Sequence, residues 1–241
     1  MNKKVLGYIG FFAVLFTVFL VVISRSFDFN KSTLAIINNN VAPFSFTDQN
    51  GKTRTEKDVE GKVYVAEYFF TTCRGICPKM NANMRRVWDA YKNESDFLIL
   101  SHTCMPETDS VPLLKKYENW MVNGELTKRS DGVAAIVPPE DIKTITNNNW
   151  FFLTGDKPSL YKMARASYMI DNNKTDTAKD PVNDFIHTQF FALVDKQRRV
   201  RGIYDGLRNA EIEKLIEDIK GLLKERAEAS GFKNGFSNTP N

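Results

Sequence analysis

Cys73 and Cys77 lie four residues apart in FFTTCRGICPKM, directly after the apolar run at residues 63–70. Side chains four apart on a helix share one face, so both sulfurs can reach one atom or each other. Pro78 suits a first helical turn, where its missing N–H costs nothing and its fixed φ is already helical. The pair is therefore expected to flank a helix start, where the helix dipole and unpaired N–H groups favour the thiolate that binds metals or attacks disulfides. Arg74, between the two thiols, acts in the same direction. The competing reading is two buried cysteines packed as small apolar fillers.

Two thiolates are too few for a closed structural zinc site, which takes four protein donors, so a third donor from elsewhere is expected. The chain has two histidines, His102 and His187, and one further cysteine, Cys104. His187 stands in DFIHTQFFALVD, just before a strand-like run, where it can project from a strand end toward the thiol loop; the plain alternative is a structural histidine. A Cys₂His set is soft and low-coordinate, suiting Cu(I) and able to hold Cu(II).

The elements that must position these residues are legible in outline. VAPFSFTDQNGKTRT predicts a hairpin turning at Asn50-Gly51. KVYVAEYFF, rich in β-branched and aromatic residues, predicts a buried central strand over 62–70. Apolar residues at Met80, Met84, Val87, Trp88 and Tyr91 predict a helix over 78–92. A short strand over 97–101 follows, then a helix over 111–121 with Leu113, Leu114, Tyr117 and Met121 inward. Further on come a strand over 150–153, a helix over 157–166 capped by Thr154 or Asp156, strands over 188–194 and 200–204, and a helix over 209–225 that buries Ile212, Leu215, Ile216, Ile219 and Leu222. Residues 171–181 read as a polar loop and the tail from 230 as disordered. This order implies an α/β domain with a mixed sheet flanked by helices on both faces. A two-thiol turn between the first buried strand and its helix is the thioredoxin-like arrangement, with chemistry on loops off the strand ends.

At 241 residues and 42% hydrophobic content, one domain with appendages is expected. A net charge of +4 from 33 basic and 29 acidic residues, scattered along the chain, gives no reason to expect a nucleic-acid partner. Residues 5–23 carry no charge and reach about 28 Å as a helix, enough to cross a bilayer. Lys3 and Lys4 before this run favour a cytoplasmic N-terminus and an exported domain. A cleaved signal peptide is the competing reading, and it also exports the domain. The expected organisation is an anchor over 1–25, a linker over 26–40, a domain over 41–226 and a tail over 227–241. Export places the thiols in an oxidising compartment, and three cysteines give poor support for a framework of structural bridges.

TTCRGICP after one strand, SHTCMPETDSVPLLKKY after the next and FIHTQFFALVDKQRRVRGIYDG near the end resemble the Sco/SenC copper-chaperone family over roughly residues 41–223. The resemblance implies a membrane-tethered, thioredoxin-like protein that binds one copper ion through Cys73, Cys77 and His187. It also implies a part in assembling the binuclear copper centre of cytochrome c oxidase, with the subunit carrying that centre and a thiol reductant protein as partners, on the periplasmic side of a bacterial inner membrane. The chain departs from the family pattern S-V-D-P-x-x-D-T-P: Asp109 keeps the second acidic position, while the first is lost and His102 and Cys104 appear. These three are candidate accessory groups, as metal donors or a redox partner; Cys104 as a packed thiol and His102 as a surface histidine are the bland readings. The function expected is copper delivery by ligand exchange from an open three-donor site. Its rival is thiol–disulfide exchange, with Cys73 attacking and Cys77 resolving, although the spacing is one residue longer than the redox C-x-x-C signature.

Overall fold

The longest buried strands are β3 (Val63–Phe69) and β4 (Phe97–Thr103), every residue of which is buried. They pair in parallel, from Val63 opposite Phe97 to Phe69 opposite Thr103. The computed structural model describes residues 3–26, 32–128, 134–140, 147–171 and 188–225. Around this pair a seven-stranded mixed sheet runs in the order β2-β1-β7-β4-β3-β8-β9, with β1 (Ser45–Asp48), β2 (Thr53–Thr55), β7 (Trp150–Thr154), β8 (Phe190–Val194) and β9 (Val200–Asp205). β4 and β7 are parallel, β8 is antiparallel to β3, and β9 is antiparallel to β8. The hairpin turns where Asn50-Gly51 predicts, with Gly51 at φ 74° and the Asp48 carboxylate accepting from Asn50 N–H (2.8 Å) and Lys52 N–H (3.0 Å).

Alternation along the strands separates two cores. On one face Val63, Val65, Phe69, Phe97 and Ile99 meet Met80, Met84, Val87 and Trp88 of α2 (Cys77–Tyr91), Leu114, Tyr117 and Met121 of α3 (Val111–Asn123), and Ile212, Leu215, Ile219 and Leu222 of α5 (Asn209–Lys224). On the other face Tyr64, Ala66, Tyr68, Leu98 and Leu100 meet Leu160, Tyr161 and Met163 from α4 (Lys157–Lys162) and the π-helical turn that continues it (Met163–Ser167). Asp156 caps α4 by accepting from Ser159 N–H at 3.0 Å. Two expected inward residues, Leu113 and Ile216, are only half-buried.

Two features differ from expectation. β4 runs two residues past Ser101, because polar His102 and Thr103 find partners inside the fold. A second, two-stranded sheet, β5 (Glu125–Lys128) with β6 (Ala134–Val137), leaves α3 directly and packs Ile136 into the first core. In the segment expected to link anchor and domain, residues 32–40 are hydrogen-bonded to the domain, as with Ile37 N–H to Val200 O (2.8 Å) and Val200 N–H to Asn38 O (2.9 Å). The N-terminal helix, α1 (Lys3–Ser26), contains a 19-residue stretch from Lys4 to Val22 of mean hydropathy 2.6, long and apolar enough to cross a membrane.

Candidate metal and thiol site

β3 ends at Phe69 and the chain turns at once, with Cys73 N–H donating to Phe70 O at 3.2 Å. Ile76 is the N-cap of α2 in helical conformation and offers no side-chain cap, while its carbonyl accepts from Lys79 N–H and Met80 N–H, each at 3.1 Å. Cys77 is the first residue of the helix and is 5% exposed, whereas Cys73 is half-exposed. Both thiols are free and form no disulfide. Burial, followed by the hydrogen bond and charge of Cys73, pushes the Cys77 thiol up, against the smaller effect of a backbone bond with Phe70. This runs against the sequence expectation for Cys77, since burial pushes its thiol up rather than toward the thiolate.

The loop is tied to the sheet by Asp109. Its buried carboxylate accepts from the Thr71 hydroxyl at 2.6 Å, from Thr71 N–H at 3.3 Å and from the Thr103 hydroxyl. Asp109 thus joins the thiol turn to the end of β4, acting as a positioning group. Beside Cys73 opens a cleft of about 30 Å³, lined by Thr71, Pro78, Asn81, Tyr117, Trp120 and Ile136 among others. Tyr117 is fixed there by a hydrogen bond from Asn81. The cleft holds little more than a water molecule, so a larger reactant reaches Cys73 from the open side of the loop.

The other candidates occupy distinct places. Cys104 follows β4 directly, 3% exposed, with its S–H donating to Phe69 O at 3.1 Å and its own N–H to the same carbonyl at 2.8 Å. It is the packed thiol of the bland reading, set under the start of the thiol loop, and burial followed by the charge of Asp109 pushes its thiol up. His102 is fully buried, which corrects its reading as a surface residue. It projects to the sheet face opposite α2, stacked on Tyr68 (5.1 Å) and bounded by Phe46 and Tyr168, and burial pushes its pKa down to about 4. Its Nδ1 lies 3.2 Å from Leu100 O and its Nε2 has no partner. His187 lies outside the described residues. Among the described residues no group of three His, Cys, Asp or Glu side chains is placed to hold a metal ion.

One group escaped the sequence reading. Glu67 in the middle of β3 is 1% exposed, accepts from the Ser101 hydroxyl at 2.6 Å through one oxygen, and leaves the other buried without a partner. Burial pushes its pKa up to about 8. The signal was present in KVYVAEYFF, where one acidic residue interrupts a strand too apolar to have a solvent face.

Comparison with known proteins agrees with this geometry. The SCO1/SenC family profile matches residues 36–137 and 138–224. A SCO1 protein homolog of Bacillus subtilis is 31% identical over 186 residues, covering 76% of this chain and 83% of the relative. A SCO1/SenC family lipoprotein from Bacillus anthracis superposes with a TM-score of 0.56 at 28% identity, covering 78% of this chain and 97% of the other. BsSco, described with a disulfide switch as a member of the Sco family of cytochrome c oxidase assembly proteins, superposes with a TM-score of 0.56 at 27% identity over 78% and 96% of the two chains. The fold built around the Cys73–Cys77 turn is thioredoxin-like, and the chain belongs to the SCO1/SenC family.

Proposed function

We propose that this chain is a membrane-anchored, extracytoplasmic copper chaperone that carries one copper ion to the copper centre of a cytochrome c oxidase. The observation that carries this reading is the pair of free thiols at the start of α2, one half-exposed and one buried. Two soft sulfurs on one side of an ion leave directions open for a third donor and for an incoming ligand. His187 is the third ligand in this proposal. Its neighbour Thr188 donates to Ile170 O at 2.5 Å at the entry to β8. The β3–β8 register, carried past Ala66 opposite Ala192, points that entry toward Phe70, whose carbonyl holds Cys73. Lys3 and Lys4 before the apolar helix support a cytoplasmic N-terminus and an exported domain. Assembly of cytochrome c oxidase is what BsSco is described for, and family membership extends that role to this chain as part of the proposal.

Anaerobic Cu(I) titration of the reduced protein tests the reading. One equivalent is expected to bind, with binding lost in Cys73→Ser and in Cys77→Ser and weakened by about 10–100-fold or more in His187→Ala. Retention of full affinity in either serine variant would refute it. Thiol–disulfide exchange is the second reading, favoured by the asymmetry of a half-exposed Cys73 over a buried Cys77. For that activity His187→Ala would leave exchange rates nearly unchanged.

A further inference from the structure

The segment that leads from the membrane helix into the domain is locked to one end of the sheet. Arg201 of β9, 5% exposed, donates to Leu34 O (2.8 Å) and is paired with Asp195 (2.9 Å) and Glu225 (3.2 Å). Glu225 in turn accepts from Ser32 N–H at 2.6 Å. Asn38 bridges Val200, and Val41 N–H donates to Arg198 O at 2.8 Å. The sheet register locates this clamp: Val200 pairs with Val194, and Val194 with Tyr64, so the clamp stands at the beginning of β3. The thiol turn stands at the other end of the same strand. Seven residues of β3 separate the two by about 20 Å.

The covalent reach of the chain adds a limit. Five residues separate Ser26, the end of α1, from Ser32 in the clamp, and fully extended they span about 20 Å. Turning the domain over to lay its thiols on the bilayer would need that whole length, at the conformational-entropy cost of a stretched chain.

We infer that the domain is mounted on the bilayer by its Arg201–Glu225 end, so that the thiol loop faces away from the membrane toward an acceptor site standing about 20 Å or more above the lipid surface. The orientation rests on the proposed reading of α1 as a retained anchor, and the identity of the acceptor, a protein domain with thiolate or imidazole donors, rests on the chaperone reading. The partner surface implied is the exposed domain of a membrane protein, and a site at the lipid interface is disfavoured by the entropy cost of the stretched connection.

The full chain in nanodiscs of mixed zwitterionic and anionic phospholipid tests this, with a fluorescent residue incorporated at exposed Asn93 on the clamp end or at exposed Glu107 on the thiol end and an acceptor dye on the lipid headgroups. Energy transfer several-fold stronger from position 93 than from position 107 is expected; equal or reversed transfer overturns the inference. Inserting about twenty Gly and Ser residues after Ser26 leaves the folded domain unaltered and is expected to remove most of the difference. A difference that survives the insertion also overturns it, because the short connection would then not set the orientation. Cu(I) titration of the same nanodiscs reports on the chaperone reading separately.

Discussion

Glu67 is the residue most at odds with its surroundings. A carboxyl enclosed in β3, with one oxygen bonded to Ser101 and the other unpartnered, stays protonated in the folded protein up to about pH 8, while the unfolded chain ionises near 4.5. Between those two values the folded state holds a proton that the unfolded state has lost, so stability falls as pH rises, by about 1.4 kcal/mol per pH unit at most from this group. Glu67→Gln keeps an acceptor for Ser101 and removes the titration. The variant is expected to gain stability relative to the parent as pH rises from 5 to 8; urea midpoints at several pH values measure this, and parallel pH curves for the two proteins would contradict it. His102 titrates with the opposite sense, since a neutral buried imidazole loses stability as pH falls from 6.5 toward 4. The same strands show why residue roles were unevenly legible. The Cys73–Cys77 spacing and Pro78 announce a helix start, but whether His102 faces solvent, metal or core is decided by Tyr68, Phe46 and Tyr168, which sequence order does not bring together.

At the scale of elements, the thiol turn has few hydrogen bonds of its own and borrows its position from β4 through Asp109. Asp109→Ala would orphan the Thr71 and Thr103 hydroxyls and free the turn from the strand. A loss of about 1–3 kcal/mol of stability is expected, together with about tenfold weaker Cu(I) binding from a less ordered site, with Asp109→Asn in between. Competition titration and urea denaturation read the two effects, and an alanine variant that binds copper as tightly as the parent would show that this carboxylate does not place the loop. Strong periodicity made α2 and α5 predictable to within a residue or two, because one face of each had to supply the core. The β5–β6 hairpin was not predictable: ELTK and AAIV are four residues each, without clear alternation, and they are held as strands by packing of Ile136 against α2 and α3. The end of β4 was missed for a related reason, since polar His102 and Thr103 end the apolar run of the strand until Tyr68 and Asp109 supply their partners.

At the scale of the molecule, the sheet separates a thiol end from the Arg201–Glu225 end, and residues 32–39 belong physically to the latter. They cover the exposed edge at the beginning of β9 and complete the coordination of a buried guanidinium, which costs stability when left without its carbonyl acceptors. A chain beginning at Ser32 lacks the apolar helix and retains every one of these bonds, so it is expected to fold as a soluble domain. A chain beginning at Asn40 loses the bonds of Ser32, Leu34, Ile37 and Asn38. At about 0.5–1.5 kcal/mol net for each hydrogen bond, and with less order lost on unfolding to offset it, the shorter chain should be less stable by about 2–4 kcal/mol. Urea unfolding of the two chains compares them directly: a lower midpoint with a similar slope is expected for the shorter one. Equal midpoints would mean that residues 32–39 lie on the domain without stabilising it, and the inferred mounting of the domain by its Arg201–Glu225 end would lose its structural basis.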